Sequence, residues 1–366
     1  MSAYDAGQRT STIDAGQQTS TYGTGLQTTR VTRLPDGTVR WSHSRGSNHP
    51  APYPPVPHDF TTRAHAASDD ELRFATPVEA DAQHGTWDTA GSRSAARLLL
   101  AGDGSSERGG TSERGGTSER GGTSEQGATS RQGATDATVE PDGPVGSMLG
   151  RLGARLRVLH TARPATAYLG QYPAPPGLTR FQPWLDGGRG TRAGAGFHYR
   201  LRSSLGPDRL AKLREFTETL LRPTDADTVL HGWLTLGNIV MPDDPGTGPG
   251  TGPGRPAVVL SGLEAARGRP EADIGWIVGE IEEFRRTAEL ASTPRPRLPG
   301  LTTAFLQGYG PAGWDRDVVA AGAVVRIATH AHDFANYVGW HDSLHTYIPM
   351  LADLLDSDGN TALPDL

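Results

Sequence analysis

Hydrophobic positions alternate with polar ones where the foldable part of the sequence begins, and they recur at helical spacing further along. In residues 28–44, apolar residues flank the dipeptide Asp36-Gly37, a pairing that favours a tight turn between two strands. An apolar run at 72–75 predicts a further strand, and the pattern at 92–102 predicts a short helix. The first half of the foldable chain is therefore expected to be rich in β-structure.

From Pro144 the apolar residues lie three and four positions apart, which predicts an amphipathic helix, and a second such pattern follows Pro207. Between them, residues 170–205 are rich in proline and glycine and are interpreted as loop, as is the segment 48–68. The later patterns predict three short strands at 228–230, 239–241 and 257–260, a Gly/Pro-rich connection at 246–254, and three helices at 272–291, 315–338 and 343–356. This order of elements predicts an α+β fold.

Two polar stretches carry repeats without an apolar face. Near the N-terminus DAGQ recurs, and a six-residue RGGTSE repeat occupies much of the middle of the chain. Segments of this composition cannot bury enough surface to offset the loss of chain entropy. We therefore predict a disordered tail (1–27), a reduced N-terminal lobe (28–103), a low-complexity linker (104–138), a C-terminal lobe (139–358) and a short tail (359–366).

Composition narrows the possible functions. The 366 residues carry a net charge of −6 and contain no cysteine, which excludes disulfides, thiolate catalysis and cysteine-ligated zinc. The chain offers no basic field for nucleic acid or anionic lipid, and it shows neither a signal peptide nor a run long enough to span a membrane. We expect a cytoplasmic protein with no nucleic acid or membrane partner. Of its 35 basic residues, Lys212 is the only lysine.

One segment carries recognisable chemistry. The sequence VLHGWLTLGNIVM (229–241) resembles the catalytic loop of aminoglycoside and choline phosphotransferases, in which His-Gly-Asp is followed by four residues and Asn. His231, Gly232 and Asn238 match that pattern. The resemblance covers residues 144–356 and implies a protein-kinase-like fold with an eroded N-terminal lobe and a mainly helical C-terminal lobe.

The following segment extends the resemblance. AVVLSGLEAARGRPEADIGWIVGEI is similar to the metal-binding strand and next helix of that family, with matches at Glu264, Gly268, Pro270 and Asp273. In the family this strand carries an aspartate that holds magnesium, and here the corresponding residue is Gly262. With Asn238 as the remaining ligand, the chain would hold a hard cation poorly, because such ions need several oxygens.

Two further parts of the phosphotransfer machinery are absent. The carboxylate that orients and deprotonates the acceptor hydroxyl is replaced by Trp233, which cannot accept a proton. The phosphate-binding lysine has no counterpart, because Lys212 falls in a helix of the C-terminal lobe. We therefore predict a pseudokinase that needs no cofactor and binds no metal.

The matching residues are expected to act mainly as scaffold. The resemblance implies a role for each of three matching residues. His231 is expected to support the loop through hydrogen bonds, Gly232 to permit its turn, and Asp273 to cap or brace it. Trp233 is expected either to fill the emptied cleft or to stack a ligand. Glu264 is the surviving acid nearest the old site; it is interpreted first as a solvated carboxylate at the end of a strand, with a role in the cleft as the alternative.

Other constellations are weaker. His330, His332, His341 and His345 lie close in sequence, but no glutamate completes a zinc-protease pattern, and a histidine-rich helix face is the favoured interpretation. The glycine-rich stretch 188–196 resembles a phosphate loop but lacks its lysine and does not follow a strand.

Two functions of different class follow from the resemblance. The first is a protein without kinase activity that binds and positions a precursor peptide or a partner kinase or lyase, in the biosynthesis of ribosomal peptides such as lanthipeptides. The second is a repurposed peptide-tailoring enzyme, a lyase or cyclase, that uses the old cleft for elimination or thioether ring closure. In that enzyme His231 and Glu264 would carry the acid–base chemistry.

Overall fold

The computed structural model describes residues 8–14, 17–101, 143–162, 169–243, 255–290, 298 and 300–365. The predicted linker at 104–138, the Gly/Pro-rich connection at 246–254 and the first seven residues of the predicted tail lie outside the described residues. Within the described ranges, the chain forms a β-rich N-terminal lobe and a mainly helical C-terminal lobe, which is the predicted α+β class.

The described residues form twelve strands and nine α-helices. The strands are β1 (Gln8–Asp14), β2 (Gln17–Gly23), β3 (Gln27–Arg33), β4 (Val39–Arg45), β5 (Leu72–Ala75), β6 (Glu79–Ala80), β7 (His84–Thr89), β8 (Arg93–Ser94), β9 (Thr228–Leu230), β10 (Ile239–Met241), β11 (Ala257–Leu260) and β12 (Ala266–Gly268). The helices are α1 (His58–Ala66), α2 (Ala95–Ala101), α3 (Pro144–Thr161), α4 (Pro176–Gly187), α5 (Gly194–Leu221), α6 (Pro270–Leu290), α7 (Leu301–Tyr309), α8 (Arg316–Asp333) and α9 (Leu344–Asp356). The predicted strands of the C-terminal lobe are confirmed at their predicted bounds.

The predicted hairpin is the centre of the N-terminal lobe. Strands β3 and β4 pair antiparallel with Val31 opposite Trp41, and the Asp36 carboxylate accepts a hydrogen bond from the Thr38 N–H at 2.9 Å. The lobe is a six-stranded antiparallel sheet in the order β1-β2-β3-β4-β7-β6. The alternation of buried and solvent-facing positions along β4 places one face of this sheet towards the C-terminal lobe.

The prediction of disorder at 1–27 is wrong for the described part of that segment. β1 and β2 pair over seven consecutive residues, and β2 continues onto β3. These strands are rich in threonine, which suits a pleated backbone, and cross-strand contacts such as Thr19 Oγ1 to Thr32 Oγ1 at 3.2 Å join them. A polar outer strand needs no apolar alternation when a neighbouring edge satisfies its backbone. The N-terminal lobe therefore begins before residue 28.

Two segments predicted as loops contain helices. Segment 48–68 includes α1, which buries Phe60 and Ala64. Segment 170–205 includes α4 and the first part of α5, a helix that kinks at Gly206 before Pro207. Proline at a helix start and glycine at exposed positions gave these stretches a loop-like composition although their buried residues keep helical spacing. The predicted tail at 359–366 also packs, since Ala362 and Leu363 are buried.

The two lobes are joined by backbone pairing. A four-stranded sheet in the order β5-β11-β10-β8 combines two strands from each half of the chain, with β5 parallel to β11. Lys212 lies in α5, where its Nζ is 2.7 Å from Asp358 Oδ1 and donates to Leu355 O at 3.0 Å. The only lysine of the sequence is therefore committed to the C-terminal lobe, as predicted.

The space between the lobes is a second hydrophobic core. From the N-terminal lobe it takes Val31, Val39, Trp41, Tyr53 and Trp87, and from the C-terminal lobe it takes Val240, Val258, Leu260 and Leu263. Each of these side chains is at least nine-tenths buried. The inner face of the sheet thus packs directly on β10, β11 and the turn that follows.

Candidate functional site

The loop after β9 is held by one carboxylate in the first turn of α6. Asp273 Oδ2 accepts a hydrogen bond from the His231 N–H at 2.6 Å, and Oδ1 accepts from the Gly232 N–H at 3.0 Å. His160 Nε2 donates to the same carboxylate at 3.1 Å. Gly232 has φ +85°, and a Cβ there would overlap Glu264 O, so only glycine fits. Asp273 and Gly232 have the structural roles expected of them.

His231 is occupied on both ring nitrogens. Its Nε2 donates to Leu260 O at 3.0 Å, and its Nδ1 faces the Trp233 N–H at 3.4 Å. Burial lowers the pKa of His231 below its ordinary value, with the nearby Asp273 charge opposing that effect. The ring is therefore a neutral buttress, which leaves no nitrogen for proton transfer.

Trp233 is wedged between helices. Its ring lies 5.3 Å from that of Trp276 and packs against Gly177 at the start of α4. The Arg180 guanidinium stacks on it at 4.3 Å, and Asn238 Nδ2 donates to the Trp233 carbonyl at 3.1 Å. The indole is thus half-buried at the position that the sequence resemblance assigns to a catalytic carboxylate, and the Arg180 guanidinium covers one face of the ring.

Arg180 is itself paired. Its Nη2 donates to Asp333 Oδ2 at 2.7 Å, and its Nε donates to Asp333 Oδ1 at 3.0 Å. Both side chains are buried, and the Arg180 charge holds the pKa of Asp333 well below its usual range against the opposing effect of burial. The pair joins α4 to the end of α8, 153 residues apart in sequence.

Gly262, at the position that the resemblance assigns to a metal-binding aspartate, is unfavourable for a side chain. It follows β11 with φ +107°, a conformation that side-chain-bearing residues rarely adopt. A Cβ there would lie 3.1 Å from Pro77 Cδ and 3.3 Å from Val56 Cγ1. An aspartate at this position would therefore be strained in its backbone and would lie tightly against Pro77 and Val56.

Glu264 is the one acid of the site with an unmet hydrogen-bonding atom. The residue is partly exposed, but its Oε2 is buried and has no hydrogen-bond partner among the described residues. Burial raises the pKa of Glu264 to about 7, with the Arg180 charge lowering it and the Asp333 charge raising it. The first interpretation of Glu264, as a solvated strand-end carboxylate, is therefore wrong.

His43 was missed by sequence reasoning. It lies on β4, its ring is 4.9 Å from that of Trp87, and burial lowers its pKa to about 4. The alternation Val39, Trp41, His43 along β4 places all three on the inner face. That alternation was the signal that could have identified His43 as a cleft residue.

These groups surround a very small cavity. Its volume is about 20 Å³, and it is lined by Gln27, His43, Trp87, His231, Trp233, Asn238, Leu260, Ser261, Gly262, Leu263 and Glu264. A single water needs roughly 10–15 Å³ of such space. The residues predicted from the sequence do come together, but the space they enclose fits about one water molecule.

The turn between β2 and β3 bonds to the C-terminal lobe next to Gln27, one of the residues that line the cavity. The Gly25 N–H donates to Tyr337 O, in the helical turn after α8, at 3.0 Å. Beneath it, the Tyr53 hydroxyl donates to Gln27 Oε1 at 3.3 Å. The N-terminal lobe therefore reaches across the cleft and bonds to the far side.

The two tryptophans of the second core also use their polar atoms internally. Trp41 Nε1 donates to Gly91 O at 2.9 Å, in the linker between β7 and β8. Trp87 Nε1 donates to Ala75 O at 3.0 Å and lies 3.2 Å from Ser261 O. Because buried indole N–H groups need acceptors, these bonds hold both rings between the lobes.

The described residues contain no group of three or more His, Asp or Glu side chains placed to hold a metal ion. The four histidines noted in the sequence have separate neighbours: His330 contacts Glu283, His332 contacts Asp333, His341 contacts Ser343, and His345 lies against Trp340. Across the same described ranges, no helix is long and apolar enough to span a bilayer.

Comparison with known proteins bears on the fold. No family model and no curated protein sequence matches the chain. The crystal structure of spectinomycin phosphotransferase APH(9)-Ia with ADP and spectinomycin is similar, with 9% identity, 93% of each chain covered and a TM-score of 0.50. Macrolide 2′-phosphotransferase MphH from Brachybacterium faecium matches at 13% identity, TM-score 0.41, covering 97% of this chain and 94% of that one. A microcompartment-associated aminopropanol kinase matches at 13%, TM-score 0.43, covering 98% and 92%.

The first of these comparisons, at 9% identity, is evidence for the fold alone. It confirms the predicted protein-kinase-like fold of the aminoglycoside phosphotransferase type.

Proposed function

We propose that this protein uses a kinase fold for binding and transfers no phosphoryl group. The observation that carries the proposal is the second hydrophobic core, in which Trp41, Tyr53 and Trp87 pack on β10 and β11. Ligand pockets commonly have volumes of roughly 300–1,000 Å³, whereas the cavity at the candidate site has about 20 Å³. A nucleotide would have to separate the lobes before it could enter.

Such a separation is energetically expensive. Fully burying one side chain of this size stabilises a protein by ~1.5–3 kcal/mol, and the second core contains nine of them. Nucleotide binding would also lack its usual electrostatic stabilisation, because a lysine and a magnesium-binding aspartate normally supply the charges that complement the phosphates. Here the only lysine pairs with Asp358, and the aspartate position is Gly262.

The partner we propose is a precursor peptide, or a kinase or lyase that acts on one, in the tailoring of ribosomal peptides such as lanthipeptides. This setting rests on the sequence resemblance. A short precursor-peptide gene beside this one would support it, and an intact kinase homologue alone as neighbour would instead favour an activating role.

Nucleotide binding is the direct test. The melting temperature of the protein is measured with ATP, with magnesium, and with both, and an active kinase-fold phosphotransferase serves as the positive control. A ligand at a hundred times its Kd adds ~2.7 kcal/mol, so the control should show a clear rise and this protein none. A magnesium-dependent rise for this protein would contradict the proposal.

A repurposed peptide-tailoring enzyme is the second candidate, and Glu264 is the observation that favours it. A carboxyl group with a pKa of about 7 can donate or accept a proton near neutral pH. His231 would not share this work, since both of its nitrogens are engaged. In ring closure, a cysteine thiol of the peptide adds across a dehydroalanine double bond, and its proton is delivered to the α-carbon.

Mass spectrometry after thiol alkylation tests this second candidate on a dehydrated peptide. Thioether formation by the native protein, lost in Glu264→Gln, would support the enzyme. An unchanged count of free thiols with the native protein would exclude it for that peptide.

A further inference from the structure

The first half of α5 and the loop before it carry several positive charges and no negative ones. Residues 187–207 contain four arginines and no acidic residue, although the whole protein carries a net charge of −6. All four arginines are exposed, and none forms an ion pair within the described ranges. Arginines elsewhere in the chain, such as Arg40 and Arg209, do form such pairs.

Exposed aromatic residues lie among these arginines. Tyr199 is 72% exposed and Trp340 is 42% exposed. The Arg200 guanidinium stacks on the Trp340 ring at 4.6 Å, and the His345 ring meets Trp340 edge-on at 5.1 Å. We call Arg192, Tyr199, Arg200 and Trp340 the arginine–aromatic surface.

Backbone contacts hold this surface in place. Arg192 Nη1 donates to Val338 O at 2.9 Å, and the Ala193 N–H donates to Ala335 O at 3.1 Å. Asn336 accepts the Thr191 N–H on its side-chain oxygen at 2.9 Å. The loop before α5 is therefore fixed to the turn after α8, so that the arginine–aromatic surface is preformed.

The flanks of Tyr199 are open. Along α5, Gly196 and Ser203 lie three residues before and four residues after Tyr199, and both are exposed, so small residues border the phenol ring on its helix face. Three exposed acids lie nearby in sequence: Asp186 and Asp208 flank residues 187–207, and Asp342 follows Trp340 by two residues. Asp186 pairs with Arg214, which leaves two carboxylates for the four guanidinium groups of residues 187–207.

We propose that the arginine–aromatic surface binds a short acidic peptide segment of a partner protein. Guanidinium groups bind carboxylates through paired, charge-assisted hydrogen bonds, and exposed aromatic side chains next to arginine are typical of interface centres. The inference specifies the partner chemistry of the proposed binding function and rests on it to that extent.

An acidic peptide suits this surface better than nucleic acid does. Nucleic-acid binding draws on many phosphate contacts and a long-range positive field, whereas this protein has a negative net charge and a local group of four arginines. Three or four carboxylates on a short segment match that number of guanidinium groups.

Fluorescence anisotropy tests the proposal with a labelled ten-residue peptide that carries four glutamates and one tryptophan. The control probe has glutamine in place of each glutamate. We expect the acidic probe to bind at least tenfold more tightly than the glutamine probe, and Arg192→Glu and Arg200→Glu each to weaken it at least tenfold. Tyr199→Ala should weaken it about threefold or more.

Arg222→Glu is the matched control. It makes the same change in net charge at the other end of α5, beyond the kink at Gly206, and should change affinity less than twofold. If Arg222→Glu and Arg200→Glu lose the same affinity for the acidic probe, the effect comes from net charge alone and the proposal is overturned. Equal binding of the two probes, or a Kd above 1 mM for the acidic one, would overturn it as well.

A single-stranded RNA of the same charge is included as a competitor. If the RNA binds more tightly than the acidic peptide, the surface is a nucleic-acid site and the proposal is refuted. These results are independent of the melting experiments with ATP, so failure here would leave the absence of phosphoryl transfer untouched.

Discussion

Replacing Glu264 by glutamine tests the electrostatics of the candidate site. The amide resembles the protonated carboxyl group in size and charge. The substitution therefore removes the titrating group at position 264 and leaves the packing nearly unchanged. The pKa of this carboxyl is about 7 in the folded protein against 4.5 for the free group, because burial disfavours the charged form. Arg180, Asp333 and Tyr53 are the charged or titratable groups that act on it.

The sign of the effect follows from proton binding. Between pH 4.5 and 7 the folded protein holds the Glu264 proton and the unfolded chain has released it, so the native protein loses stability as the pH rises. A tenfold change in a protonation equilibrium corresponds to ~1.4 kcal/mol, and the full pKa difference therefore amounts to about 3 kcal/mol. Glu264→Gln should match the native protein near pH 4 and exceed its free energy of unfolding by up to ~3 kcal/mol at pH 8.

Urea unfolding at a series of pH values measures this difference. Other titrating groups are common to both proteins and cancel when the two are subtracted. Glu79→Gln is the control, since Glu79 is exposed on β6, and its difference from the native protein should stay constant with pH. A constant difference for Glu264→Gln between pH 5 and 8 would refute the reasoning and show that the Glu264 carboxyl is solvated.

Two further substitutions test the closed cleft. Trp233→Asp combined with Gly262→Asp should restore no phosphoryl transfer from radiolabelled ATP, and labelled product would overturn the pseudokinase interpretation. The double variant should also lower the urea midpoint, because Gly262 has φ +107° and a side chain in that conformation is strained by ~1–3 kcal/mol. Trp41→Ala should lower the free energy of unfolding by ~3–5 kcal/mol, and Trp41→Phe should lower it by about 1 kcal/mol through the lost hydrogen bond to Gly91 O. An unchanged free energy of unfolding in Trp41→Ala would mean that the second core is open in solution.

Predictions about the site residues that needed only residue identity could be made from the sequence, whereas those that needed contacts between distant segments could not. By the resemblance, Trp233 and Gly262 stand where the family has carboxylates, and Lys212 falls in a helix of the C-terminal lobe. These predictions rest on residue identity at motif spacing. They could be made from the sequence because a tryptophan cannot accept a proton in any fold. The bracing role of Asp273 was likewise expected, since loop and helix lie in a fixed order along the chain.

The fate of Trp233 could not be predicted in the same way. Filling the cleft and stacking a ligand were alternatives, and the contacts of the ring with Trp276 and Arg180 favour filling. Arg180 belongs to a segment interpreted as loop, and its partner Asp333 lies 153 residues away. No local pattern links those two positions.

The sequence by itself determined the elements whose apolar spacing is local and regular, namely the hairpin β3–β4, the strands β9 to β11 and the later helices. It also carries the resemblance from which the loss of the phosphotransfer groups is predicted. Tertiary structure alone decided that β1 and β2 form strands, because their backbone groups are satisfied by neighbouring strands and not by their own side chains. It alone decided that Trp41 and Trp87 close the space between the lobes. Burial depends on which distant surfaces meet, and that information is absent from any single stretch of chain.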